Sequence, residues 1–283
     1  MEEENQEVKK FITFGELFKK SFDYSIKLFP KTFGILVIFW ISTIVCFSGE
    51  AAFVPLLQKT SNSGFLIIRA LLPLLICAAG FCFMIWSYAS LLAVIVNMET
   101  EVKIKETIKD SRKMVLPLLS VCIWTSLIVV GGIFCLIIPG ILFAVWFSLV
   151  PFPLFCENMR GRKALLRSKY LIKGYWWNVF GKLLILIVVA LIFFIAIGFL
   201  EEKLPDFNLL WSIFSIVLII IFCPLFLLIF LFLIYKDLSV IKGPMPENYA
   251  GFPENWAGIV FSLLGIIHIV GYLGNLYHKV GLL

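Results

Sequence analysis

Seven apolar runs dominate this sequence, at about Phe33 to Leu57, Ala70 to Met98, Val115 to Ile138, Ile141 to Cys156, Val179 to Leu200, Phe207 to Tyr235 and Ala257 to Tyr277. An α-helix needs about 20 apolar residues to cross roughly 30 Å of hydrocarbon, and most of these runs reach that length. Membrane barrels are built instead from strands of about ten alternating residues. Uninterrupted apolar runs leave helices as the way to satisfy the backbone inside lipid. Composition agrees, with 61% hydrophobic and only 15% charged residues, against roughly 45–50% and about 25% in soluble domains. The expected fold is all-α, a polytopic membrane helical bundle of six or seven transmembrane helices.

Charge sets the expected orientation, because Lys and Arg concentrate in cytoplasmic loops. Of the 24 Lys and Arg residues, all but Lys59, Arg69, Lys203 and Lys279 fall before the first run, between the second and third, between the fourth and fifth with Lys182 just inside the fifth, or directly after the sixth. The N-terminus is therefore expected in the cytoplasm of a prokaryotic plasma membrane, with Asn62 and Glu202 outside and Lys109 and Lys169 inside. The fourth run is short and carries Pro151 and Pro153. A re-entrant hairpin turning at Pro139 and Gly140 is its rival, but that would place the most basic loop outside, so a crossing is expected. The first run begins too far from Met1 to be a cleaved signal. Three regions follow: residues 1–32 with an amphipathic segment, a six-helix membrane domain over 33–238, and an extension over 239–283 that holds the seventh run.

A repeated unit is discernible. Basic amphipathic stretches around Ser21, Ser111 and Ser168 precede the first, third and fifth runs, and aligning Ser21 with Ser168 brings Phe33-Gly34 onto Phe180-Gly181. Each stretch is expected as a cytoplasmic interfacial helix followed by a two-helix hairpin. In the third, Leu165, Leu171 and Ile172 recur at helical spacing. Arg160, Arg162, Lys163, Arg167, Lys169 and Lys173 supply positive charge, and Tyr175, Trp176 and Trp177 suit the headgroup boundary. This basic and aromatic cluster is the candidate lipid-facing site. Glu50 and Arg69, near the outer ends of the first two helices, form a candidate intramembrane polar pair, since ionisable groups at such positions are functional candidates.

Catalytic candidates are few. Two histidines, His268 and His278, both lie in the last segment, and neither a phosphate-binding loop, a nucleophile elbow nor a zinc-binding helix motif is written in the chain. The seven cysteines sit in or beside apolar runs without a C-x-x-C pair, as small packing residues do. Neither an enzyme activity, a metal nor a cofactor is expected. The expected partners are membrane lipids, anionic ones above all, with a protein partner or homo-oligomer left open; nucleic acid is not among them.

From Ile137 to Phe180 the pattern Pro139-Gly140, Glu157, Gly161, Ala164-Leu165, Arg167-Ser168, Lys173-Gly174 and Trp176-Trp177, joined later by Tyr235, Asp237 and Leu238, resembles the glycerophosphoryl diester phosphodiesterase membrane-domain family and related bacterial multi-pass proteins. The likeness covers about Phe14 to Leu238. Some relatives fuse this region to a soluble phosphodiesterase barrel of about 250 residues, a length that no soluble stretch here approaches. What the resemblance implies is the membrane part alone: a non-catalytic scaffold that organises or senses lipid or supports a partner. The alternative is a small-solute or lipid transporter that uses the broken third and fourth helices, as transporters do when they expose backbone to a solute.

Overall fold

A computed structural model of the protein describes residues 11–58, 63–99, 104–135, 137–203, 223–246 and 249. The described residues fold into α1 (Phe14–Gln58), α2 (Ser63–Val96), α3 (Ile104–Ser111), α4 (Val115–Cys135), α5 (Ile137–Phe147), α6 (Pro151–Cys156), α7 (Arg162–Ile172), α8 (Trp176–Lys203) and α9 (Cys223–Lys242), with no strand among them. Six helical stretches are long and apolar enough to cross a membrane: Phe14–Cys46, Leu75–Val96, Lys105–Ile133, Ile137–Cys156, Trp176–Phe199 and Cys223–Lys242. The chain is an all-α, multi-pass membrane bundle. The first part of the sixth expected run and all of the seventh lie outside the described residues, as does His268.

The fourth run is one of these six stretches, and local hydrogen bonding explains how it carries two prolines. Pro151 has no N–H to offer the Phe147 carbonyl, and Pro153 none for Leu149. Tighter three-residue bonds take their place, Val150 N–H to Phe147 O at 3.2 Å and Phe152 N–H to Leu149 O at 3.1 Å. The chain therefore turns locally between α5 and α6 while keeping its backbone groups paired.

Glycines set the closest helix approaches. A Cβ on Gly80 would stand 3.0 Å from Cys46 Sγ and 3.2 Å from the Ser42 carbonyl, so α1 and α2 close on a surface without a side chain. Cys46 and Cys77 each direct Sγ at the other's carbonyl, both at 3.6 Å. At Gly140 a Cβ would lie 2.8 Å from the Ile133 backbone, and at Gly132 it would meet Phe143 Cδ2 at 2.8 Å. Pro139-Gly140 thus closes the α4–α5 hairpin.

Helix α9 threads the centre. Phe18 of α1 meets Phe226 at 5.2 Å and Phe14 meets Phe230 at 6.0 Å, while Phe152 of α6 contacts both Phe232 and Tyr235 at 5.6 Å. Leu36, Leu92, Ile95, Leu118 and Leu171 are fully buried around it, as is Phe230 within it. Helix α8 differs: Val179 joins the core, but Ile187, Ile192 and Ile195 are exposed at 55%, 62% and 70%. Bare apolar surface of this extent suits hydrocarbon as its solvent.

The three amphipathic stretches are built differently. The Ser21 stretch is the opening part of α1, continuous with the first span; the Ser111 stretch is α3, which runs into α4 through a single 3-10 turn at Arg112–Met114; the Ser168 stretch is α7, set off from α8 by the turn at Gly174. All three serines are nonetheless buried. Ser21 Oγ donates to Leu17 O at 2.8 Å, Ser111 Oγ to Ile108 O at 2.7 Å, and Ser168 Oγ to Trp146 O at 2.6 Å.

Candidate functional site

The basic segments meet at one end of the bundle. Ile12 N–H donates to Asp237 Oδ2 at 2.9 Å, Lys236 pairs with Glu99, and Ser90 Oγ lies 3.0 Å from Ser111 Oγ. These contacts bring the start of α1, the end of α2, the end of α3 and the end of α9 together. Helix α7 packs among them.

Two glycines permit the insertion of α7. Gly161 before it and Gly174 after it have φ of +55° and +88°, backbone conformations that a Cβ disfavours. Asn158, at φ +50°, is of the side-chain type that tolerates this region best. Between these turns α7 buries Ala164, Leu165, Leu171 and Ile172, the apolar face legible in the sequence.

The basic face is divided. Arg167 is 3% exposed and turned inward, where Nε donates to Glu157 Oε1 at 2.9 Å and Nη1 to the Gly243 carbonyl at 2.7 Å. Tyr235 O–H donates to the same Glu157 oxygen at 2.7 Å. Glu157, Arg167 and Tyr235 therefore tie the α6–α7 turn, α7 and α9 into one hub. Lys169 is also buried, with Nζ 4.5 Å from the Trp146 ring centre. Burial first, and the neighbouring Lys173 charge second, hold its ammonium pKa below the usual lysine value.

Lys242 donates to the Tyr170 carbonyl at 3.1 Å and to the Lys173 carbonyl. Tyr249 stands edge-on to Tyr170 at 5.0 Å, and burial, aided by Tyr170, raises its phenol pKa. Arg160, Arg162, Lys163, Lys173 and Trp177 point outward, and Trp177 is 76% exposed. Trp176 and Tyr175 are half-buried; Trp176 directs Nε1 at Leu142 O at 3.5 Å and stacks on Phe180 at 4.9 Å. The expected cluster thus separates into structural cations, Arg167 and Lys169, and an outer rim. The inward cations are held by partners inside the bundle, Glu157 and the Gly243 carbonyl for Arg167 and the Trp146 ring for Lys169.

No protein-family model matches the chain, and no curated protein or solved structure does.

Glu50 lies in α1 and Arg69 in α2, and their side chains are outside the described residues. Among the described residues, no group of three His, Cys, Asp or Glu side chains is placed to hold a metal ion. Sequence reasoning missed the joint role of Glu157, Arg167 and Tyr235. Glu157 and Tyr235 are 78 residues apart, and the signal that could have found them was that both belong to the pattern carrying the family resemblance.

Proposed function

We propose that this chain is a non-catalytic multi-pass protein of a prokaryotic plasma membrane whose cytoplasmic face organises or senses anionic lipid, or supports a partner there. The observation that carries this reading is the division of the basic end. Arg167 and Lys242 are committed to structural contacts, whereas Arg160, Arg162, Lys163, Lys109, Arg112 and Lys113 are exposed around it. Exposed cations beside an exposed tryptophan match an inner leaflet, where each Lys or Arg near the surface is worth about 1 kcal/mol of attraction. The resemblance to phosphodiesterase membrane domains is part of the same proposal, since the pattern residues Glu157, Arg167 and Tyr235 build the hub that holds this face in place. A transport route through the third and fourth spans would have to part helices whose backbones touch at Gly132 and Gly140.

The test uses the full chain, reconstituted in bilayers of equal phosphatidylcholine and phosphatidylglycerol and then extracted with its bound lipid. The protein should retain phosphatidylglycerol in excess. Arg160→Glu, Arg162→Glu and Lys163→Glu together should abolish the excess, because three rim charges reverse while the hub stays intact. Equal retention of both lipids by the unmodified chain would remove the lipid reading.

A further inference from the structure

Lys182 occupies an unusual position in α8. Its Nζ is enclosed and meets no hydrogen-bond acceptor, and the residue is only 8% exposed. An ammonium carries three donors and needs acceptors when it leaves water. What it has is the face of Phe11, with Nζ 3.1 Å from the ring centre, an attraction without a lone pair. On the other side of the same segment, Asp237 Oδ2 accepts the Ile12 N–H at 2.9 Å. Phe11 also leans on Tyr175 at 5.4 Å. Residues 11–13 thus form a strap, held on one side by a cation and on the other by a carboxylate.

Depth identifies what the strap displaces. Lys182 follows Trp176 by six residues, about 9 Å along a helix, and a lysine at that depth extends its amine toward the headgroups. Phe11 lies where that extension leads. We propose that Lys182 is a phosphate-binding residue at the basic end of the bundle, and that Phe11 covers it until an anionic phosphodiester group takes the place of the ring. Phosphate oxygens supply the acceptors that Phe11 lacks, with a full negative charge. This inference rests on the anionic-lipid reading and adds to it a site and a moving part.

The experiment uses the full chain with its seven native cysteines replaced and spin labels at Thr13→Cys, on the strap, and Val240→Cys, on exposed α9. Distances are measured in phosphatidylcholine alone, in an equal mixture with phosphatidylglycerol, and in phosphatidylcholine with inorganic phosphate. Phosphatidylcholine alone should give one short distance, and phosphatidylglycerol should add a longer population. Lys182→Met should lose the longer population and Lys182→Arg should keep it. A longer population produced by inorganic phosphate alone assigns the same site to free phosphate. The inference is overturned if the distances are the same in all three media, or if Lys182→Met responds as the unmodified chain does. Retention of excess phosphatidylglycerol, measured in parallel, separates failure of the gate from failure of the lipid reading beneath it.

Discussion

Arg167→Met should destabilise the protein by about 3 kcal/mol, near the low end expected when one partner of a buried ion pair is removed. The substitution keeps the apolar stem but leaves Glu157 without its cation and the Gly243 carbonyl without its donor. The Glu157 side chain is 24% exposed and that of Arg167 only 4%, so water relieves part of the stranded carboxylate and keeps the loss from the top of the range. Tyr235 continues to donate to that carboxylate, which limits the damage further. Reversible unfolding in mixed micelles measures the effect. Because the two side chains share one contact, Arg167→Met combined with Glu157→Leu should cost less than the sum of the single changes. Strict additivity would mean that the hub contributes nothing as a unit.

Gly140→Ala should cost about 2 kcal/mol, as overpacking of a filled interior commonly does. The new Cβ would lie 2.8 Å from both Cα and N of Ile133, and backbone atoms cannot rotate away as a side chain can. The α4–α5 hairpin must therefore open, which also loosens the contact of Gly132 with Phe143. By contrast, Gly34→Ala should be neutral or slightly favourable, because nothing lies within 4 Å of a Cβ there and alanine is the better helix former. Thermal unfolding of the two variants in the same detergent makes the comparison, and equal midpoints would contradict the close packing.

The sequence made the spans legible because length and hydropathy alone decide whether a helix can cross lipid: the first five expected runs overlap long apolar helices in the structure, and the described end of the sixth lies in another. It also made the apolar face of α7 legible, since Leu165, Leu171 and Ile172 follow helical spacing. The direction of the charges was not legible. Periodicity places Arg167 and Lys169 away from the apolar face, but whether that side meets water or protein depends on Glu157, Gly243 and Trp146, and distances along the chain carry no information about such meetings. The amphipathic stretch around Ser21 shows the same limit: its pattern matches that of α7, yet without a turn like the one at Gly174 it continues into α1. Lys182 was legible as a lysine able to reach the interface, while its cover by Phe11 depends on a contact spanning most of the chain.

The orientation of the basic end tests the whole account most directly, and single cysteines in a cysteine-free chain measure it. Lys109→Cys and Arg162→Cys suit the purpose because both positions are exposed, whereas Lys169 is buried and would label poorly from either side. Treated as intact cells with a membrane-impermeant maleimide, Asn62→Cys and Glu202→Cys should label at once. Lys109→Cys and Arg162→Cys should label only after the membrane is opened. Labelling of Arg162→Cys in intact cells would put the basic end outside and contradict the account.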